Sequence, residues 1–499
     1  MKSLEKLING NDIRGIALEG VEGEKVNLTD EIAKDFGFAF AKWLSDNKGK
    51  DIKDLKISVG KDSRITGDKL KNALIEGMVN CGVKVYDFDL ASTPAMFMST
   101  VLDGYKYDGA IMITASHLPF NRNGMKFFTC KGAIEKEDLK NIVKIAEEGA
   151  KESLKGEVSE VDFMSQYAKF LVDTIKNKVN NEKPLEGFKI IVDAGNGSGG
   201  FFASKVLEEL GANTEGSQFL NPDGNFPNHI PNPENKEAIK SLSDAVLKNN
   251  ADLGIIFDTD VDRAAVVDKE GNEINRNRLI ALISAIILEE HPKSTVVTDS
   301  VTSEGLKEFI EKHCGGVHHR FKRGYKNVIN ESKRLNNEGI ESYIAIETSG
   351  HAALKENYFL DDGAYLIAKI LIKMAKLKDE KKDIKDLITA LKEVEVSEEY
   401  RVKINEDNFK EYGNLVLEEL NTLCKNKEGW EFEIPNYEGV RIKCDKDNGQ
   451  GWFLVRLSLH DPVIVINIES NSKNNQKIIL NNLVEFFSKF EKLNIDKLK

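Results

Sequence analysis

The chain has 499 residues, too many for one ordinary core, and the usual domain size predicts roughly three or four domains. With 40% hydrophobic and 30% charged residues it has the composition of a folded globular protein, and its net charge of −12 argues against a broad nucleic-acid surface, which needs a basic field. Its five cysteines, Cys81, Cys130, Cys314, Cys424 and Cys444, stand singly without a C-x-x-C pair, which indicates neither a disulfide framework nor a zinc site and suits a reducing compartment.

From Met1 to Arg14 charged and apolar residues alternate, so no secretory segment is expected and a cytoplasmic location is. Asp12-Ile13-Arg14-Gly15 follows directly; its Asp/Arg pair reads either as a surface ion pair or, with Gly15 beside Arg14, as an anion contact. Gly60-Lys61-Asp62-Ser63-Arg64 repeats the pairing, and for Arg64 the structural reading leads.

An apolar run, Gly109 to Ile113, predicts a buried strand that ends in Thr114-Ala115-Ser116-His117-Leu118-Pro119, with Asn121, Asn123, Gly124 and Lys126 beyond. A serine on such a loop, beside a histidine and a downstream lysine, has the parts for nucleophilic phosphoryl chemistry. The same residues also fit a plain strand-to-helix turn in which Ser116 caps backbone donors.

Phe188 to Val192 predicts the next strand, and the Pro/Gly/Asn-rich Asn221 to Asn235 a surface loop. Asp252 to Phe257 predicts a further strand, ending in Asp258-Thr259-Asp260-Val261-Asp262-Arg263. Three alternating carboxylates on one short loop converge naturally on a hard divalent cation; a solvated acidic turn is the plainer alternative. An EF-hand is excluded, because its sixth and twelfth positions hold Arg263 and Lys269 instead of Gly and Glu. An aspartyl-phosphatase loop fits less well, since Asp262 stands where that pattern has Thr or Val.

Leu279 to Leu288 is the longest apolar stretch, short of the ~20 residues that span a bilayer, and predicts a buried helix and no membrane partner. Strands at Ser294 to Val297 and Tyr343 to Ile346 follow, the latter ending in Glu347-Thr348-Ser349-Gly350-His351. A carboxylate, hydroxyls and an imidazole on one tight loop suit the donors and acceptors of a sugar, and equally an incidental Gly turn. The charged segment Lys376 to Asp386 reads as a solvated join to a differently patterned C-terminal region. There Arg456-Leu457-Ser458-Leu459-His460-Asp461-Pro462 precedes the strand Pro462 to Ile468 and offers a guanidinium fork and a hydroxyl to a phosphate, or is a simple strand-turn-strand. Alternating β and α places these polar loops at the carboxyl ends of strands, where such sheets bind ligands.

In this order, and with Pro222-Asp223-Gly224-Asn225-Phe226-Pro227 and Pro231-Asn232-Pro233-Glu234 between them, the motifs resemble the α-D-phosphohexomutase family, phosphomannomutase/phosphoglucomutase branch, over nearly the whole chain. The resemblance implies an α/β fold: three similar mixed-sheet α/β domains plus a smaller C-terminal α+β domain around a central cleft. The expected domains are 1–155 with the phosphoserine loop, 156–272 with the metal loop, 273–385 with the sugar loop and 386–499 with the phosphate loop. It also implies a phosphohexomutase that interconverts hexose 6-phosphate and hexose 1-phosphate, of mannose or glucose, through phospho-Ser116 and a hexose 1,6-bisphosphate. Asp258, Asp260 and Asp262 look like Mg²⁺ ligands, with Ser116 completing the metal site. Arg263 would steady the serine loop, and His117 and Lys126 would assist proton transfer. Arg14, Glu347, Ser349, His351, Arg456, Ser458 and His460 would bind the substrate. A phosphosugar is the expected partner and the chain a monomer or homodimer. Hydrolysis of phosphosugars, or their binding without catalysis, are the alternatives.

The chain departs from the family's commoner spellings at four places. Thr259 and Val261 replace glycines of the aspartate loop, and Thr348 stands where Met or Gln is usual. The last loop lacks a glycine and a threonine hydroxyl. Lys322-Arg323-Gly324-Tyr325-Lys326 occupies a loop that often carries a histidine.

Overall fold

The computed structural model describes residues 3–151, 154–458 and 461–498. Three α/β domains with mixed sheets are followed by a C-terminal domain on an antiparallel sheet. The chain forms two compact units, Met1–Ile286 with Ser349–Leu387, and Ile287–Thr348 with Ile388–Lys499.

In the larger unit, parallel strands Lys56–Lys61, Lys84–Leu90, Gly109–Ile113 and Glu157–Glu160 join antiparallel Arg122–Thr129 and Asp12–Ile16 in one sheet. Helices Asp30–Lys48, Gly67–Val79 and Lys136–Glu147 pack apolar residues such as Phe36, Leu74 and Ile142 against it. Strand Gly109–Ile113 is buried at every residue, as its unbroken apolar run requires for a central strand. A second mixed sheet pairs Ile190–Asp193 in parallel with Leu253–Phe257, which turns into antiparallel Ala264–Asp268. The hairpin turn between these two strands is the aspartate loop. Strands Ala352–Leu354 and Leu360–Asp361 and helix Gly363–Glu380 complete the unit.

In the smaller unit, strands Thr295–Thr298, Val317–Arg320 and Ser342–Ile346 run parallel. A six-stranded antiparallel sheet, with helices Phe409–Asn426 and Lys473–Phe487 packed against it, forms the C-terminal domain.

The expected strands are present with ends shifted by no more than two residues, and Leu279 to Leu288 lies inside helix Asn277–Glu290 with Leu279 to Ile283 fully buried. Among the described residues no helix is long and apolar enough to cross a membrane. Two expectations change. Lys376 to Glu380 is the last turn and more of helix Gly363–Glu380, because Leu377 is buried and continues its apolar face, so the join begins only at Lys381. The loop from Asn221 to Asn235 is not merely superficial: Gly224 packs on the backbone of Ser63 to Ile65, and Phe226 lies under the Arg64 guanidinium, 5.3 Å from it.

Candidate active site

Ser116 is held from several sides within the larger unit. Its N–H donates to the Thr114 hydroxyl at 2.8 Å, which donates to buried Asp62 at 2.7 Å. The Arg64 guanidinium donates to four carbonyls of the same loop, those of Ser116 and Leu118 at 2.5 Å, Pro119 at 2.8 Å and Arg122 at 2.9 Å. These bonds hold Ser116 at φ 50°, in the left-handed region that a residue with a Cβ enters only when its surroundings compel it. The side chain is thereby turned onto the aspartate loop. Its hydroxyl donates to Asp258 Oδ2 at 2.9 Å and accepts from Arg263 Nη2 at 3.0 Å.

The aspartate loop is buried and crowded. The carboxylates of Asp258, Asp260 and Asp262 offer oxygens within 4.8 Å of one another. Asp258 takes Arg263 Nε at 3.2 Å and Nη2 at 3.0 Å. Asp260 Oδ2 takes the Thr93 hydroxyl at 2.5 Å and Lys126 Nζ at 3.0 Å, and the Lys126 ammonium also bonds Asp262 Oδ2. The second oxygens of Asp260 and Asp262 are buried and have no hydrogen-bond partner. Two orphaned carboxylate oxygens on adjacent ligand positions are costly in a protein interior and are the donor set a hard divalent cation prefers. The three aspartates therefore fit a metal ion.

Charge in the loop is unbalanced. Arg14 is bound to Asp12 at 2.9 Å and to the Thr114 carbonyl at 3.0 Å, whereas Lys126 and Arg263 bond the three carboxylates directly and His351, shared with Asp361, lies beside Asp262. Burial, then repulsion from Asp262, pushes the Asp258 carboxyl well above its usual range. For Asp260 and Asp262, Lys126 helps to outweigh burial and holds both low. Burial, Arg263 and Arg14 push His117 down to about 3, which agrees with its Nδ1 accepting from Arg263 Nη2 at 2.6 Å. His351 pairs backbone with Arg263 and side chain with Asp361; despite burial, Asp361 and then Asp262 raise it to about 9. Ser116, His117, Lys126, Arg14, Arg263, His351 and the three aspartates thus share one buried neighbourhood. Ser349 belongs to the same unit, and its buried hydroxyl has no hydrogen-bond partner.

The remaining expected residues lie in the smaller unit. Glu347 Oε1 accepts the Gly324 N–H at 2.6 Å, and Thr348 donates its hydroxyl to Asp299 at 2.7 Å. Arg456 lies on strand Gly451–Leu457, and the Ser458 hydroxyl accepts the Asp461 N–H at 3.2 Å. His460 falls outside the described residues.

Sequence profiles of phosphoglucomutase/phosphomannomutase alpha/beta/alpha domains I, II and III match residues 5–153, 165–271 and 275–394. A phosphomannomutase/phosphoglucomutase of Pseudomonas aeruginosa is 30% identical over 84% of each chain. The chain belongs to the phosphoglucomutase/phosphomannomutase family. A phosphoglucomutase/phosphomannomutase of Thermococcus kodakarensis is 31% identical over 94% of this chain and 95% of that one. The crystal structure of a family protein from Burkholderia thailandensis superposes with a TM-score of 0.79, 26% identity and 97% coverage of both chains. As a phosphohexomutase, the chain is an isomerase of hexose phosphates, an intramolecular phosphotransferase by reaction type.

Against this family background, Val261 is unusual. It adopts φ 67° and is fully buried where the commoner sequence has glycine, so a β-branched residue sits in a conformation that normally excludes it. The loop keeps its course because the backbone behind it is close: a Cβ on Gly363 would come 2.7 Å from the Arg263 carbonyl carbon, and one on Gly197 2.6 Å from the Thr259 oxygen. Thr93 and Asp361 were not singled out in the sequence, and Asp62 and Asn232, whose Oδ1 accepts from Arg263 Nη1 at 3.3 Å, stood in noted motifs without an assigned role. Thr93 had a local signal, the helix start Ser92-Thr93-Pro94, but it speaks of capping, not of Asp260.

Proposed function

We propose that phospho-Ser116 exchanges its phosphoryl group with the free hydroxyl of a mannose or glucose monophosphate, through a hexose 1,6-bisphosphate that turns over and returns the other group. The observation that carries this reading is the Ser116 hydroxyl, 2.9 Å from Asp258 and 3.0 Å from Arg263, at the rim of three buried carboxylates. Phosphoryl transfer asks chiefly for positioning and charge neutralisation. The strained Ser116 loop, stitched by Arg64, supplies the positioning. Arg263 would neutralise phosphoryl oxygens on Ser116.

A phosphoserine adds about −1.5 to −2 charges beside a loop that already buries three carboxyl groups. Asp258, Asp260, Asp262 and the Ser116 phosphate would therefore hold Mg²⁺, which when bound offsets this charge and polarises the phosphoryl oxygens. His117 and Lys126 are assigned to proton transfer at the sugar hydroxyl; the charge of a phosphoserine beside His117 would raise its lowered pKa toward the range a general base needs, and Lys126 would donate once its carboxylates are otherwise engaged. Arg14, Glu347, Ser349, His351, Arg456, Ser458 and His460 are assigned to the sugar and its second phosphate. On this reading the four loops belong to domains 1–155, 156–272, 273–385 and 386–499, and the chain acts as a monomer or homodimer.

Ser116→Ala is expected to lose about ten-thousand-fold or more in turnover of glucose 1-phosphate and mannose 1-phosphate, even with added hexose 1,6-bisphosphate. Full activity of that variant would overturn the phosphoserine mechanism. Release of inorganic phosphate by the wild type faster than formation of the isomer would point to hydrolysis instead.

A further inference from the structure

How the aspartate loop chooses its ion follows from the oxygens it withholds, and rests on the metal reading above. Each of the three carboxylates has one oxygen engaged by side-chain donors. Asp258 Oδ2 takes Ser116 and Arg263, Asp260 Oδ2 takes Thr93 and Lys126, and Asp262 Oδ2 takes Lys126. Asp260 and Asp262 keep one further oxygen each, buried and without a hydrogen-bond partner. Carboxylates that offer one oxygen apiece suit Mg²⁺, which is small, demands an octahedron and keeps several of its waters. Ca²⁺ gathers more oxygens at longer range, often two from one carboxylate.

Two donors keep Asp260 to one oxygen, and they differ in stiffness. Lys126 stands on a flexible four-carbon stem and divides its ammonium between Asp260 and Asp262, so it can follow a carboxylate that turns. Thr93 cannot. Its N–H donates to the Asp260 carbonyl at 2.8 Å and its hydroxyl to Asp260 Oδ2 at 2.5 Å, so main chain and side chain are fixed to the same residue. Thr93 is buried and opens helix Thr93–Met98, every residue of which is buried. The segment before it is held as well. The Ser92 hydroxyl accepts the Ala95 N–H at 3.3 Å, and the Ala91 N–H donates to the Lys61 carbonyl at 2.8 Å. A Cβ on Gly60 would come 2.7 Å from the Ala91 Cβ, so strand Lys56–Lys61 closes the space behind the segment. A turn of the Asp260 carboxylate that presented both oxygens to an ion would strip the buried Thr93 hydroxyl of its acceptor.

We propose that Thr93 sets the metal selectivity of this site: by holding Asp260 to one oxygen it favours Mg²⁺ over Ca²⁺. It acts through Asp260 and is a positioning residue. The stiffness of a β-branched side chain suits it to that task.

The test titrates Mg²⁺ and Ca²⁺ separately into the metal-stripped full-length chain, reading affinity by calorimetry and by the rise in melting temperature. Thr93→Val keeps the shape and the N–H and loses the hydroxyl; Thr93→Ser keeps the hydroxyl. In Thr93→Val the ratio of the Ca²⁺ to the Mg²⁺ dissociation constant is expected to fall about 10- to 100-fold, as the loss of a hydrogen bond to a charged group implies. In Thr93→Ser it should stay near the wild-type ratio. Ca²⁺ should also inhibit turnover of glucose 1-phosphate at lower concentration in Thr93→Val than in wild type. A purely structural role would weaken both ions alike; an unmoved ratio overturns the proposal, and Mg²⁺ binding by the wild type leaves the metal reading standing. A wild type that binds neither ion sinks the metal reading and the proposal with it. Should Thr93→Val fail to fold, infrared difference spectra of the wild type decide. The carboxylate stretches on binding Mg²⁺ should show single-oxygen ligation, and a two-oxygen signature overturns the proposal.

Discussion

Around Ser116 the excess charge is negative and the orphaned groups are acceptors, the second oxygens of Asp260 and Asp262; around Arg456 the orphaned group is a donor, its Nε. The first arrangement invites a cation and the second an anion. Both are buried enough for the missing partner to matter, since an unsatisfied polar atom in the interior forfeits the hydration it had in the unfolded chain. The difference teaches that one feature, a buried polar atom left without a partner, occurs here with opposite sign in two places, and on the proposed function each is the place a ligand would complete.

Asp262→Ala should break the first site most severely. Magnesium affinity is expected to fall about 100-fold or more and turnover with it, because one of three carboxylates is removed and Lys126 is left with Asp260 alone. The rise of melting temperature with added magnesium reads this without turnover. Arg456→Ala should leave that rise intact; if both variants lost it equally, the two places would not be independent.

Arg64→Ala probes the scaffold rather than the ligand. It strips four carbonyls of their donor and leaves Asp62 buried opposite no cation, so a destabilisation of about 3 kcal/mol is expected in chemical denaturation. A loss in the stoichiometry of Ser116 phosphorylation should accompany it. An unchanged melt would mean that the left-handed turn at Ser116 needs no support.

The smallest effect concerns His229 and Asp193, a buried pair 2.9 Å apart whose charges are matched. Burial works against protonation of His229, but the hydrogen bond and charge of Asp193 raise its pKa above the ordinary value. Such a group contributes stability fully below the unfolded-state pKa of about 6.5 and loses it as pH rises through the higher folded value. Wild-type stability should therefore decline modestly above neutrality, and the decline should vanish in His229→Gln. A variant with the wild-type slope would remove His229 from the account.

The parts legible in sequence were those encoded locally. Apolar β-branched runs such as Ile255-Ile256-Phe257 mark buried strands, and a polar loop at the end of each marks a site, so the serine, aspartate and sugar loops could be found from neighbouring residues alone. The Lys376 to Asp386 segment misled because charge on a helix's outer face looks like linker chemistry when Leu377 is read without its partners. Thr93 and Asp62 serve the site through bonds to residues far along the chain, 167 positions away for Thr93 and Asp260 and 52 for Asp62 and Thr114.

By itself the sequence determined which segments are strands and helices, and which loops carry hydroxyls, carboxylates and guanidinium groups, because those choices follow from backbone propensity and from the free energy of burying apolar side chains. Only the tertiary structure decided that Ser116 faces Asp258, that Lys126 sits on Asp260 and Asp262, and that Arg323 and Arg456 approach one oxygen of Glu399. The physical reason is that electrostatic pairing acts through space, and proximity in space is settled by packing rather than by position in the chain.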